Sequence, residues 1–227
     1  MTFKEFTKEL NGKKVEGELI KTFFYSLITS VIIIAIAYFL FLRNNPDFIP
    51  KYSFYLFFAV LSYALIIPTF IHVKAYKEFL CMPGMMIGMS IGMVASFLSG
   101  FYIASTNGMF IGSIFGMTIG ITFGIWNGRC CGIMGILEGI MAGFMGGLMG
   151  AMTAFMLLND HLKASAVIVF LVSSLIIIGL HYMIYKETRE NKEEHKKNHF
   201  FTILITLILD ILTILIMIIG PRSDLFS

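Results

Sequence analysis

The chain has 227 residues, of which 57% are hydrophobic and only 14% are charged. A soluble domain of this size needs far more charge on its surface, so the composition excludes an ordinary soluble protein. The net charge of +3 is too small to indicate a nucleic-acid partner, and three cysteines, two of them adjacent, do not form a disulfide framework.

The chain begins with a polar stretch, residues 1–19, in which Phe3, Phe6 and Leu10 recur at helical spacing among Lys and Glu. We expect a cytoplasmic amphipathic segment here, either a short interfacial helix or a mobile polar tail. The apolar run that follows is longer than the h-region of a cleavable signal peptide, which has about 7 to 15 residues. We therefore expect this first run to remain as a helix.

Seven apolar segments follow, each close to the roughly 20 residues that a membrane-spanning helix needs. They cover residues 20–42, 53–73, 80–104, 109–127, 132–158, 164–185 and 200–220. The second contains Pro68, which we expect to bend that helix. The sequence thus predicts an all-α integral membrane protein with one transmembrane domain, residues 20–220, and an extracytoplasmic tail, residues 221–227.

The basic residues predict the orientation of these helices. With the N-terminus in the cytoplasm, 13 of the 17 Lys and Arg residues fall on the inner side. The other four are Arg43, Lys51, Lys163 and Arg222, which fall outside. Since cytoplasmic loops carry an excess of Lys and Arg, the count favours an N-terminus inside and a C-terminus outside.

The middle of the chain differs from its flanks. Residues 81–156 hold 13 of the 16 methionines, 17 of the 21 glycines and all three cysteines. Small residues recur there at every fourth position, a spacing that marks close helix interfaces in membranes. The repeated positions are Gly84, Gly88 and Gly92, then Gly108, Gly112, Gly116, Gly120, Gly124 and Gly128, then Gly135, Gly139, Gly143, Gly147 and Ala151. We expect these glycine ladders to hold the third, fourth and fifth helices in a tight central bundle.

Methionines form a stripe on two of these helices, since a helix turns by about 100° per residue. In the third segment the stripe contains Met82, Met85, Met86, Met89 and Met93, with Cys81 slightly further round. In the fifth it contains Met134, Met141, Met145, Met149, Met152 and Met156, with Glu138 at the centre of the same stripe. The fifth stripe lies opposite part of the glycine ladder, so we expect that helix to be buried on two faces.

Thioether sulfur is a soft, uncharged ligand that, together with thiolate, favours Cu(I) over hard cations. Methionines four residues apart in the third segment (Met82 and Met86, Met85 and Met89, Met89 and Met93) locally resemble the MxxxM element of eukaryotic Ctr-type copper transporters. GxxxG also occurs in that family. The resemblance covers a few residues and the number of segments differs, so it implies shared chemistry and not membership. Methionine as a flexible filler beside glycine-lined helices is the alternative.

The predicted orientation places all three thiols on the cytoplasmic side. Cys81 opens the third segment there, and Cys130 with Cys131 lies in the next inner loop. His72 and His181 fall near the same side. Thiolates with a nearby imidazole can bind Cu(I), Zn(II) or Hg(II), whereas small buried residues or lipidated thiols are the alternatives.

Two carboxylates fall inside apolar segments, Glu138 in the fifth and Asp210 in the seventh. Such groups are costly in a bilayer, so each is a functional hypothesis. We expect Asp210 to pair with a hydroxyl or basic group of a neighbouring helix. Asn159, Asp160 and His161 form a polar trio on the outer side, which is either an entrance site or a solvated loop.

Sequence motifs for nucleotide binding, zinc peptidases, serine hydrolases and CxxC redox chemistry are absent, so we do not expect an enzyme. The first hypothesis is Cu(I) transport or binding in a prokaryotic plasma membrane, through both methionine stripes, Glu138 and the cysteines. A soluble metallochaperone or a second copy would be the partner. The alternatives are a structural or partner-binding subunit built on a glycine zipper, and a carrier for a sulfur species or a small apolar solute.

Overall fold

A computed structural model describes residues 15–40, 48–74, 81–129, 132–188 and 199–221. These residues form seven α-helices, and no strand occurs among them. The helices are α1 (Val15–Leu40), α2 (Phe48–Lys74), α3 (Cys81–Asn107), α4 (Met109–Gly128), α5 (Gly132–Met156), α6 (Leu162–Thr188) and α7 (His199–Ile219). The predicted all-helical architecture is therefore confirmed for the described part of the chain.

Five of the seven helices are long and apolar enough to cross a membrane. The candidate spans are Ser53–Phe70, Met82–Asn107, Met109–Gly128, Gly132–Met156 and Leu162–Lys186. Two shorter apolar stretches, Thr22–Ile36 and Ile203–Ile218, belong to α1 and α7. These lengths and compositions are consistent with the predicted helical membrane protein.

The helix bounds agree with the predicted segments to within a few residues, except that α1 and α2 each begin five residues earlier than predicted, at Val15 and Phe48. α1 begins at Val15, inside the stretch that was expected to be a separate amphipathic segment. Residues 15–19 form a polar first turn of the same helix, and the apolar pattern marks only the part that follows it. The predicted start at residue 20 was therefore too late. Residues 1–14 lie outside the described residues. Pro68 lies within α2, and the bend expected there stays a prediction.

Helices α3, α4 and α5 form the tightest part of the fold. Gly108 alone separates α3 from α4, and its φ of 108° is a conformation that L side chains rarely adopt. Its amide donates a hydrogen bond to the carbonyl of Ala104, and its carbonyl accepts one from Gly112, each at 3.1 Å. This turn reverses the chain within a single residue and sets α4 antiparallel to α3.

The remaining helices pack around one side of that bundle. α2 contacts α1, α3, α6 and α7, and its buried side chains include Tyr63 and Phe70. Across the α3–α6 contact, the Tyr102 hydroxyl donates a 3.0 Å hydrogen bond to the carbonyl oxygen of Ala166. α5 packs mainly on α3 and α4. The large apolar core thus lies around α2 and α3, and α5 lies at the edge of the fold.

Candidate functional site

The glycine ladder of α4 meets the ladder of α3 backbone to backbone. A Cβ atom added to Gly88 would lie 3.1 Å from the amide nitrogen of Gly128, and one added to Gly92 would lie 3.1 Å from the Cα of Gly124. Both distances are shorter than ordinary van der Waals contact. The two helices therefore approach as closely as their backbones allow, as the four-residue spacing predicted.

The same α4 ladder also meets α5. A Cβ on Gly128 would lie 2.7 Å from the carbonyl carbon of Gly135, and one on Gly120 would lie 2.9 Å from the Cα of Gly143. Gly150 of α5 would place its Cβ 3.0 Å from the Cα of Phe97 on α3. Each of the three helices thus contacts both others, and the predicted central bundle is confirmed.

This packing decides which way the methionine stripes face. On α5 the buried residues are all glycine or alanine, and the methionines occupy the opposite side. The exposed fractions are 66% for Met134, 63% for Met141, 52% for Met145, 54% for Met149, 46% for Met152 and 68% for Met156. The expectation that this helix is buried on two faces is therefore wrong for the single chain. Periodicity shows which residues share a face, but not what covers that face.

The α3 stripe is also largely exposed. Met82, Met86, Met89 and Met93 are exposed, and Met85 is half-buried. They occupy the N-terminal half of α3, whereas nearly all side chains from Val94 onwards are buried. A Cβ on Gly146 of α5 would lie 2.7 Å from the carbonyl oxygen of Met93, so the two stripes are on adjacent helices.

The methionines contrast with the exposed side chains of the flanking helices. The described large hydrophobic side chains that α3 exposes are all methionine, and α5 exposes six methionines together with Ile133, Leu137, Phe144 and Phe155. Among the described residues, α1, α6 and α7 expose no methionine. Their exposed large hydrophobic side chains are Ile, Leu, Val, Phe and Tyr. Ordinary lipid-facing surface therefore has a different composition from the methionine stripes.

Glu138 lies on the α5 stripe and is half-buried. Charged side chains at membrane depth usually face a bundle interior or a water-filled cavity rather than lipid. Its position on the outer side of α5 thus indicates that something other than lipid covers this part of the helix. A second chain, water or a bound cation would each meet that need.

The predicted cysteine cluster falls mostly outside the described residues. This applies to Cys130, Cys131 and the side chains of Cys81 and His72. His181 is buried, and its Nδ1 lies 2.8 Å from the carbonyl oxygen of Ile177, so this nitrogen donates a hydrogen bond within its own helix. The proposal that the thiols gather at one end of the bundle therefore stays a prediction.

The polar trio Asn159, Asp160 and His161 lies in the turn between α5 and α6. Asn159 is exposed, and the side chains of His161 and Asp160 are 91% and 76% exposed, with Nε2 and Oδ1 3.8 Å apart. An exposed pair at this distance contributes little stability. The solvated loop is thus the better interpretation of this trio than an entrance site.

A second polar feature, which the sequence analysis missed in part, lies between α1, α2 and α7. We call it the polar seam; its members are the buried side chains Thr22, Ser26 and Ser30 of α1, Tyr63 of α2, and Thr206, Asp210 and Thr213 of α7. The Ser30 hydroxyl donates a 2.9 Å hydrogen bond to Oδ2 of Asp210, which confirms the expected hydroxyl partner. The four-residue spacing of the α1 hydroxyls is a signal that could have located the seam.

Among the described residues, no three His, Cys, Asp or Glu side chains are grouped so that they could hold a metal ion. In comparisons with known proteins, no family model, no curated protein and no solved structure matches this chain.

Proposed function

We propose that this protein binds Cu(I) in the membrane, as a transporter or a retention site, through the methionine stripes of α3 and α5. The observation that carries the proposal is the run of exposed methionines along α3 and α5, whereas the described parts of α1, α6 and α7 expose branched and aromatic side chains and no methionine. Thioethers are soft ligands that suit Cu(I) in an apolar setting. Glu138 on the α5 stripe supplies negative charge that would balance a bound monovalent cation.

The outward direction of the stripes supports a site completed by a second copy of the chain. α5 packs mainly on α3 and α4, so its methionine side has room for another molecule. Two copies in contact through α5 would enclose thioethers from both and would remove Glu138 from lipid. The cysteines on the predicted cytoplasmic side would then receive or release the metal, with a soluble metallochaperone as donor or acceptor.

Metal content tests this proposal. Protein is purified from copper-supplemented cells under reducing conditions, and copper per chain is measured by mass spectrometry. We expect near-stoichiometric copper in the wild type and a large loss when exposed methionines of both stripes, Met86, Met89, Met141 and Met145, are changed to leucine together. Leucine keeps the volume and apolar character, so the change removes sulfur and little else.

The matched control replaces four methionines outside the stripes, Met109, Met117, Met183 and Met217, with leucine. This variant should keep its copper, because none of these four methionines lies on either stripe. Equal copper loss in both quadruple variants would refute a specific role for the stripes. Absence of copper from a normally folded wild type would favour the alternative subunit function, with methionine serving as an adaptable contact surface.

The cysteines are tested by a separate triple variant, Cys81→Ser, Cys130→Ser and Cys131→Ser. If the thiols receive or release the metal, copper bound to the stripes should survive in part while transfer from a Cu(I)–glutathione donor slows. Transfer at the wild-type rate would remove the cysteines from the proposed path. Loss of activity toward a sulfur-containing solute with copper unchanged would favour the carrier hypothesis.

We also propose that all seven helices span the plasma membrane of a prokaryote, with the N-terminus inside and the C-terminus outside. The distribution of Lys and Arg supports this orientation. Alkaline phosphatase fused after residue 227 should be active, since the enzyme folds only outside the cytoplasm, and the same enzyme fused after Lys192 should be inactive. The reverse pattern would overturn the orientation.

A further inference from the structure

Asp210 is a fully buried carboxyl group whose hydrogen bonding is incomplete. Its Oδ2 accepts the hydrogen bond from Ser30, whereas its Oδ1 has no partner among the described residues. The hydroxyls of Tyr63 and Ser26 are also buried and also without a partner in that part of the chain. Buried polar groups are nearly always paired, so three unsatisfied oxygens in one seam indicate a site that takes a further ligand.

The surroundings of Asp210 supply no counter-charge among the described side chains. On α2 the titratable group that acts on it electrostatically is Tyr63. On α1 the described polar groups that face it are hydroxyls. On α3 the amide of Asn107 donates a 2.8 Å hydrogen bond to the carbonyl of Ile216, six residues beyond Asp210 on α7. An isolated carboxylate in such a place is costly, and binding a proton removes that cost.

The seam gives this carboxyl group polar access from one end. Thr22, Ser26 and Ser30 lie one helical turn apart on α1, and Thr206 lies one turn before Asp210 on α7. Beyond Asp210 the Thr213 hydroxyl bonds back to the Asp210 main-chain carbonyl at 2.9 Å, and the next buried α7 side chains, Ile214 and Met217, are apolar. Polar side chains therefore extend from the N-terminal halves of α1 and α7 to Asp210 and stop shortly after it.

We propose that Asp210 is a proton-binding site inside the membrane, reached along the polar seam from the N-terminal ends of α1 and α7. A proton from water on that side binds to Oδ1, while the Ser30 hydroxyl keeps its hydrogen bond to Oδ2. The unsatisfied hydroxyl oxygens of Tyr63 and Ser26 are available as acceptors through a bridging water. The proposal is independent of copper, since no residue of the methionine stripes takes part.

Infrared difference spectroscopy of the full-length protein in lipid bilayers tests the proposal. We expect a carbonyl-stretch band of a protonated carboxylic acid that is absent in Asp210→Asn and weakens as the pH is raised. Ser30→Ala should shift the frequency of this band without removing it, because the hydrogen bond to Oδ2 is lost. Glu138→Gln is the matched control and should keep the band.

Labelling by a hydrophobic carbodiimide, which reacts with protonated carboxyl groups, provides a second measurement that needs no variant. The wild-type peptide that contains Asp210 should be modified at neutral pH and progressively less as the pH rises. Failure to label it at any pH, or an infrared band that persists in Asp210→Asn, would overturn the proposal. Protection by sodium ions at constant pH would also overturn it, since the site would then bind an alkali cation instead.

Discussion

Replacing Gly124 with alanine should lower the free energy of unfolding by about 3 kcal/mol, the upper part of the range for overpacked sites. The added Cβ would lie 2.7 Å from the carbonyl carbon of Gly139 and 2.9 Å from its Cα. These are backbone atoms, so no side chain can rotate away and the helices themselves must separate. Unfolding in mixed detergent micelles, followed by the fluorescence of Trp126, the only tryptophan, measures the change.

Two further variants make this test specific. Gly139→Ala should cost a similar amount, and the double variant should cost less than the sum, because both methyl groups open the same contact. Gly179→Ala on α6 is the matched control, since no atom lies within 4 Å of its added Cβ. It should leave stability unchanged or raise it by up to about 1 kcal/mol through helix propensity. Equal effects at Gly124 and Gly179 would contradict the backbone contact.

Phe70→Ala should be at least as destabilising, by about 3 to 5 kcal/mol, the usual cost of removing a buried aromatic side chain. Phe70 is fully buried on α2, and its ring lies 5.0 Å from that of Phe123 and 5.6 Å from that of Trp126, both edge-on. It also lines a groove of about 350 Å³ between α4 and α7, which the change would enlarge. The same fluorescence measurement reports the loss, because Trp126 loses a neighbouring ring.

Phe57→Ala provides the control on the same helix. Phe57 is 50% exposed, so its loss should change the free energy of unfolding by about 0.5 kcal/mol or less. The two variants remove the same atoms from opposite environments. A cost at position 57 as large as at position 70 would mean that the exposed side of α2 is covered by another chain.

The sequence predicted the helices well because each apolar run is long and is separated from the next by charge or glycine. It also predicted the central bundle, because glycine at every fourth position is typical of helices whose backbones are in close contact. The close approach of Gly124 to Gly139 is of the predicted kind, although the spacing alone does not determine which two glycines meet.

The surroundings of each site were harder to predict. Whether Met141 faces protein or lipid depends on which helices lie beside α5, and the amino-acid pattern is the same in either case. The partner of Asp210 is 180 positions away in the chain, so no local pattern joins it to Ser30. Buried hydroxyls such as those of Ser26 and Tyr63 are common in membrane helices, so the sequence does not single them out. They indicate a site only because the fold places them in the same seam as the carboxyl group of Asp210.

The turn at Gly108 has a consequence for how the bundle finds one alignment. Four residues of an α-helix rise about 6 Å, so sliding α4 by that step would again set glycine opposite glycine along much of both neighbours. Contact surfaces with a repeat of this kind have several nearly equivalent registers, so the glycine contacts alone do not determine which register forms. The choice falls to the one-residue connection at Gly108, which fixes the start of α4 against the end of α3. A longer connection would remove this constraint on the alignment of α4 against α3.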